Sequence, residues 1–390
     1  MDKALLDYDE CVQLKPSYPE TRYCRAMLLV AKRSYDRALT DLNEALRQAP
    51  DHGLAHLARA NVFAAKGNWE KALVDLNEVI RINPRSAEAF YGRGMAYGAQ
   101  KDLIKALANF NEAIRLDPKL YLAYVNRAEV FLSSNVYAKA IADCEEAVRL
   151  GPKDPRCYTK RARVRGVHEE FTKALADCGQ ALELDSKNAD AFVIRGAIRI
   201  AKGEYQKAIE DCTEAIRLNP KDPIPYANRA GAFFLVQELD KALVDCEEAI
   251  RLDPKYATAY FNRSQIRLAR GEHEMGVSDY TKALELEPKS VSVLLAVSRL
   301  LSCQASEQLR DGKKAVAYAK RACELTHWED SFCLEAVAAA YAATGGFDEA
   351  IQWQEKALKV FDEKNERSTR KQLTDQLKLY QEKKPRRDKD

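Results

Sequence analysis

One alanine position recurs at a fixed interval of 34 residues along most of this chain. The series runs through Ala38, Ala72, Ala106, Ala140, Ala174, Ala208 and Ala242. A second alanine, seven residues later, keeps the same interval from Ala113 to Ala283. An interval of this size predicts an array of stacked repeats, each burying its apolar side against the next. A length of 390 residues alone would suggest two or three globular domains. The repeat interval is the stronger evidence, so we expect one continuous array instead.

Each copy has the pattern of two helices joined by a short turn. Prolines such as Pro118 and Pro152 follow the second helix, where a helix cannot continue. Glycines such as Gly67 and Gly203 stand between the two helices and supply the backbone conformation that ends a helix. Small residues on both helices alternate with aromatic ones, as interlocking helices require.

These units resemble the tetratricopeptide repeat in their period and in their small, aromatic and proline positions. Pairs such as Asn126-Arg127 and Asn228-Arg229, followed by a Lys-Ala-Leu-type second helix, resemble the large multi-repeat arrays of bacteria and eukaryotes. The resemblance implies an all-α, right-handed superhelical solenoid of tandem helix-turn-helix repeats. It also implies a protein that binds other proteins.

The phase of the repeat predicts five regions. Residues 1–18 are a half repeat that holds only a second helix, and residues 19–290 hold eight full units. Residues 291–364 hold two divergent units with an insertion near Ala305–Asp311. Residues 365–382 are predicted to form a capping helix that carries Leu373, Leu377 and Tyr380 on one face, and residues 383–390 a disordered tail. The half repeat is interpreted either as a cap or as the sign of a truncated start.

The composition of the chain argues against nucleic-acid binding and against membrane insertion. The net charge is +3, with 62 Lys and Arg against 59 Asp and Glu, so the chain lacks the basic field typical of nucleic-acid binding. No apolar run is long enough to span a bilayer, and acidic residues interrupt any signal peptide at the start. Ten cysteines without paired spacing favour a reducing, cytoplasmic compartment, with a periplasmic one left open if an upstream signal was lost.

No catalytic, cofactor or metal site is predicted. Cys144, Cys178, Cys212 and Cys246 repeat at the 34-residue interval, which predicts inert thiols on the buried side of second helices. His52 and His56 lie four residues apart, but no third ligand stands near them. No nucleophile is paired with a base, so the chain is predicted not to be an enzyme.

An arginine and an aspartate also recur once per unit, 16 residues apart. Arg127 with Asp143 is an example, and Asn109 is the exception on the acidic side. One interpretation is a ladder of Arg–Asp pairs that links helices, within or between units. The other is an exposed arginine track that holds an acidic ligand.

By the family's pattern, the partner surface is a concave groove lined by the first helices. The groove is more apolar than a solvated face needs to be, which marks partner sites. Leu54, Leu57 and Glu88 belong to the predicted lining. The residues predicted to contact the partner are Tyr91, Met95, Leu122, Val125, Glu129, Arg156, Thr159, Arg163, Asp190, Val193, Phe234, Phe261 and Gln265. The Lys–Asn pair by which chaperone-binding members clamp a C-terminal carboxylate is missing.

The sequence therefore predicts a non-catalytic scaffold that holds an extended or helical segment of a partner protein. Two alternatives stay open. The array is the substrate-recognition or assembly part of a larger enzyme or secretion complex, truncated at its N-terminus. Alternatively, copies of the array associate through the N-terminal helix.

Overall fold

The computed structural model describes residues 2–303, 310–361 and 367–386. Over these ranges the regular structure is entirely helical, and the predicted all-α array of helical hairpins is confirmed. The chain divides into two compact halves, Met1–Ile198 and Arg199–Asp390.

The N-terminal half consists of hairpins that follow the predicted period. Its helices are α1 (Asp2–Leu14), α2 (Pro19–Ala31), α3 (Tyr35–Gln48), α4 (Gly53–Ala65), α5 (Trp69–Ile82), α6 (Ala87–Ala99), α7 (Leu103–Leu116), α8 (Tyr121–Ser133), α9 (Tyr137–Leu150), α10 (Pro155–Val167), α11 (Phe171–Leu184) and α12 (Ala189–Ala201), within which the half ends. From α2 to α11, each first helix has 13 residues and each second helix has 14.

From α3 to α9, each second helix packs against its own first helix and against the first helix of the next hairpin. The first helices from α2 to α10 also lie beside one another. The layer of first helices is therefore continuous across the hairpins of this half, and α1 packs against α2 ahead of it.

The ends of the helices follow from local chemistry. Asn68, Ser86 and Asp102 accept hydrogen bonds from backbone N–H groups three residues ahead and so cap α5, α6 and α7. Pro19 and Pro155 stand at the first position of their helices, where no hydrogen-bond donor is needed.

The turn inside each hairpin contains one residue in the left-handed conformation. Gly67 has φ +73°, and the same position holds Arg33, Lys101, Asn135 and Glu169 with φ between +57° and +62°. The turn thus keeps one backbone shape although glycine, the residue expected there, occupies only one of these five positions. A side chain in this conformation is strained, least so for asparagine.

Side chains of alternating size fill the space between helices. Gly94 faces Phe110, and a Cβ atom added to Gly94 would lie 2.6 Å from the Phe110 ring. In the next hairpin Ala128 packs with Cys144, which also contacts Val164 of the following first helix. Cys144 of α9 therefore packs against two first helices.

The C-terminal half also consists of hairpins. After the end of α12, its helices are α13 (Tyr205–Leu218), α14 (Pro223–Leu235), α15 (Leu239–Leu252), α16 (Ala257–Ala269), α17 (His273–Leu286), α18 (Val291–Cys303), α19 (Gly312–Leu325), α20 (Ser331–Ala343), α21 (Phe347–Val360) and α22 (Arg367–Gln381). The predicted insertion falls largely on residues 304–309, which lie outside the described residues.

Helix α22 packs against α21, and its Leu373 and Tyr380 side chains are buried. The buried Gln354 side chain of α21 donates hydrogen bonds to the carbonyl of Leu373 at 2.8 Å and to the amide of Gln376 at 3.2 Å. Of the predicted tail, residues 387–390 lie outside the described residues, and Arg386 pairs with Glu335 at 2.6 Å.

Candidate functional site

Six of the repeated arginines form two hydrogen bonds each to the aspartate of their own hairpin. Nitrogen–oxygen distances are 2.5 to 3.0 Å, and the aspartates are buried. The pairs are Arg25–Asp41, Arg59–Asp75, Arg127–Asp143, Arg161–Asp177, Arg229–Asp245 and Arg263–Asp279. The predicted ladder is confirmed, and these guanidinium groups are committed to packing rather than to an exposed track.

The remaining terminal nitrogen of several of these arginines reaches back to the preceding hairpin. Arg59 donates to Asn43, Arg93 to Asn77 and Arg127 to Asn111, each at 2.8 Å. The acceptor always stands 16 residues before the arginine, as the aspartate stands 16 after it. One planar group therefore links two hairpins, which suits the fork-shaped donor geometry of arginine.

The arginines also stack on aromatic rings of their own helix. The guanidinium carbon of Arg93 lies 5.1 Å from the centre of the Phe90 ring, and that of Arg127 lies 5.5 Å from Tyr124. A cation over a ring face adds to the attraction and holds the fork in place.

The repeated cysteines are buried, as predicted. Cys144, Cys178, Cys212 and Cys246 have no exposed surface. Burial raises the pKa of Cys144, Cys212 and Cys246 to about 12 in each case. These three thiols therefore stay protonated at neutral pH, where only a thiolate would act as a nucleophile or metal ligand.

The two histidines of α4 and its preceding turn are held by protein partners. His56 contacts Asp75 at 2.8 Å through Nδ1 and the Pro50 carbonyl at 2.9 Å through Nε2. His52 contacts Glu20 at 3.1 Å through Nε2 and accepts from the Ala55 N–H through Nδ1. Neither ring keeps a nitrogen free for a metal ion.

The predicted partner residues of α6 are half-buried on the first-helix layer. Tyr91 and Met95 pack with Phe110, and the Tyr91 hydroxyl accepts a hydrogen bond from Asn126 at 3.1 Å. Burial raises the pKa of Tyr91. Both side chains therefore serve the core and still present part of their surface to solvent.

Three predicted residues stand on α8, and three stand on α10. Leu122 is half-buried, whereas Val125 and Thr159 are only 6% and 7% exposed. The Thr159 hydroxyl donates to the Pro155 carbonyl at 2.6 Å. Val125 and Thr159 therefore offer little surface, and Leu122 offers more.

Charged predicted residues cluster between α8 and α10. Glu129 pairs with Lys160 and, at 3.5 Å, with Arg163. Burial alone would raise the pKa of Glu129, but the two cations outweigh it and hold that pKa below its ordinary value. The exposed Arg156 forms a two-pronged contact with Asp154.

Two predicted residues lie on α12, within the N-terminal half, and three lie in the C-terminal half. Asp190 is exposed and Val193 is half-buried on α12. In the C-terminal half, Phe234 on α14 and Gln265 on α16 are half-buried. Phe261 on α16 packs against Tyr280, with ring centres 5.6 Å apart.

An open cleft of about 820 Å³ lies at the beginning of the first helices α2, α4 and α6. Leu54, Leu57 and Val79 line it, and Leu54 is 57% exposed. Glu20, Asp51, His52 and Glu88 also contribute to the lining. The cleft thus combines exposed apolar surface with three carboxylates.

Sequence reasoning named Leu54, Leu57 and Glu88 as groove residues but missed the first turn of α2 and the turn before α4. Glu20, Asp51 and His52 reach it from the starts of two hairpins. The signal for the arginine contacts to the preceding hairpin was present as a side chain with a polar oxygen two residues after most ladder positions, such as Asn43 and Asn111. Cys323 and Cys333, distant in spacing, pack in one core cluster.

Two further findings concern the described ranges only. They contain no group of three or more His, Cys, Asp or Glu residues that could hold a metal ion. Within the same ranges, no helix has the length and apolar character needed to cross a membrane.

Comparison with models of known protein families finds matches to repeat families. A model described as TPR repeat matches residues 60–101, and models described as tetratricopeptide repeat match residues 87–120, 189–222 and 257–290. Comparison with curated proteins finds no match.

Solved structures share the fold at low sequence identity. A tetratricopeptide repeat protein from Parabacteroides merdae is 21% identical with a TM-score of 0.51, and the match covers 62% of this chain and 95% of that one. Yeast Tom70 is 17% identical with a TM-score of 0.52, covering 97% and 92%. A human IFIT1 dimer with m7Gppp-AAAA is 16% identical with a TM-score of 0.57, covering 92% and 95%.

At sequence identities this low, the similarity shows only a shared fold. The matched units stand in phase with the helical hairpins, since the matches at 87–120 and 257–290 begin where α6 and α16 begin. The chain therefore carries tetratricopeptide repeats at the matched residues.

Proposed function

We propose that the chain is a non-catalytic scaffold that binds a segment of a partner protein along its layer of first helices. Tetratricopeptide repeats and their fold support a protein-interaction scaffold in general. The groove assignment is the more specific part of the proposal. It is supported by one observation: neighbouring first helices carry partly exposed apolar residues, among them Leu54, Tyr91 and Met95.

The proposed mechanism is recognition by a preformed surface. The hairpins are held in register by the arginine contacts, so the partner segment meets side chains that are already ordered. Ordering costs on the scaffold side are then small, and aromatic and aliphatic anchors supply the affinity.

A protein is the partner class that the charge balance favours, since the net charge is +3 and the cleft carries carboxylates. The human IFIT1 dimer was solved with m7Gppp-AAAA, so this fold admits such a ligand in another protein. For this chain we propose neither nucleic-acid binding nor membrane insertion.

Leu6 and Leu14 of α1 are strongly exposed and favour a second candidate, association of two copies through that helix.

The groove is tested by capturing partner proteins with the full chain and with a Tyr91→Ala/Met95→Ala variant. We expect the variant to lose most of the captured partner, because two anchors of the first-helix layer are removed. The matched control is Val74→Ala/Ile104→Ala, which removes exposed apolar side chains, 68% and 84% exposed, from second helices. Equal loss in both variants, with unchanged melting temperatures, would contradict a first-helix groove.

A further inference from the structure

The cleft at the start of α2, α4 and α6 has an unbalanced charge. Its lining contains Glu20, Asp51 and Glu88, and among the described residues no lysine or arginine lines it. Asp51 is paired with Arg81 at 2.5 Å, and that arginine lies outside the lining.

The other two carboxylates have no such cation. The contacts of Glu20 and Glu88 are with the His52 ring at 3.1 Å and the Ser86 hydroxyl at 3.4 Å. Both glutamates are exposed, and within the described residues neither pairs with a lysine or an arginine. Their negative charge is therefore available to an incoming group.

The floor between the carboxylates is apolar. Leu54 is more than half exposed, Leu57 is half-buried, and the buried Val79 of α5 also lines the cleft. A partner segment fits this lining when it carries an apolar side chain with positively charged neighbours. The apolar side chain then packs on the exposed leucine, and the positive charges face the carboxylates.

We infer that this cleft binds a protein segment in which an apolar side chain is flanked by lysine or arginine. The inference rests on the proposed function and names the chemistry of the partner at one end of the first-helix layer. A phosphate backbone would be repelled by the same carboxylates.

The other end of the N-terminal layer has the opposite character. Arg156, Lys160 and Arg163 stand on α10 at spacings of four and three residues, which places them along one side of that helix. Arg156 and Arg163 are exposed. These three cations pair with two carboxylates, Asp154 and Glu129, which leaves α10 with an excess of positive charge rather than negative. A basic segment is therefore attracted to the cleft more than to α10.

Fluorescence anisotropy with the full chain tests the inference. The probe is a labelled ten-residue peptide in which two leucines are each flanked by lysines, and its counterpart has glutamate for every lysine. We expect the lysine peptide to bind about tenfold more tightly at low salt, and Glu20→Gln/Glu88→Gln to weaken it about tenfold through the loss of two exposed charge pairs.

The matched control is Glu70→Gln/Glu183→Gln, which removes two negative charges from exposed residues of second helices. We expect this control to change binding less than twofold. Equal binding of the two peptides, or equal effects of the two double variants, would overturn the inference. If the partner captured by the full chain is lost with Tyr91→Ala/Met95→Ala but kept with Glu20→Gln/Glu88→Gln, the groove stands and the cleft assignment alone falls.

Discussion

The hairpins α6–α7 and α8–α9 follow each other in the chain and have the same backbone plan, but they are joined by different polar chemistry. In α8–α9, Arg127 donates to both carboxylate oxygens of Asp143 at 2.8 and 2.6 Å. In α6–α7, Arg93 donates to the Asn109 amide oxygen at 2.7 Å. Both arginines also reach the preceding hairpin at 2.8 Å.

The packing between the helices differs in the same two hairpins. Gly94 makes room for the Phe110 ring in α6–α7, whereas Ala128 faces the smaller Cys144 in α8–α9. The smaller residue on the first helix, Gly94, is thus matched by the larger residue on the second, Phe110. The two hairpins share one backbone geometry. The charge or the size of a residue at a given position differs between them, and in each case the residue that it contacts differs to match.

The largest expected difference comes from removing the arginines. Arg127→Gln leaves the buried Asp143 carboxylate without its cation and should lower the free energy of unfolding by about 3 kcal/mol. Arg93→Gln leaves a neutral amide and should cost about 1 kcal/mol. Urea denaturation measures the loss, and hydrogen exchange of α8 and α9 amides locates it.

The control for this difference is Arg127→Gln combined with Asp143→Asn, which should recover most of the stability because no charge is left buried. Equal costs for the two arginine variants would show that the carboxylate is not what separates the hairpins.

The packing comparison is sharpened by Gly94→Ala. The added methyl group would meet the Phe110 ring at 2.6 Å, and such overpacking costs about 2 kcal/mol. Combining it with Phe110→Cys recreates the Ala128 and Cys144 pair and should restore part of that loss. Thermal melting measures both variants. A double variant less stable than Gly94→Ala alone would argue against exchange of volume between the two positions.

The smallest expected effect lies in the turns. Lys101 and Asn135 occupy the left-handed position of the two hairpins, with φ +62° and +57°. Lys101→Gly should raise the free energy of unfolding by about 0.5 kcal/mol, since relief of backbone strain outweighs the greater freedom of the unfolded chain. Asn135→Gly should gain less, because asparagine tolerates this conformation. A larger gain at Asn135, measured as a shift in the urea midpoint, would contradict this account.

Sequence periodicity predicts the hairpins well because the small residues recur in phase with the packing. The units expected to start at Gly53, Ala87 and Tyr121 coincide with the starts of α4, α6 and α8. The turns were less predictable, since a backbone shape held by neighbouring helices admits lysine or glutamate where glycine was expected.

The candidate site is harder to predict than the hairpins because exposure depends on neighbouring side chains. Tyr91 and Val125 hold equivalent positions, yet the longer tyrosine keeps exposed surface while the valine is buried. The cleft depends on turns from successive hairpins, which no single repeat encodes. Which residues contact a partner therefore stays a prediction.

The backward contacts of Arg59, Arg93 and Arg127 make the connections between these hairpins interchangeable. If residues 87–120 were excised, Arg127 would take the place of Arg93 and meet Asn77, an acceptor of the same kind as Asn111. A copy can thus be gained or lost by recombination among these hairpins while the arginine at the junction keeps an asparagine acceptor. An array connected in this way can change its reach in steps of one hairpin while each connection keeps its chemistry.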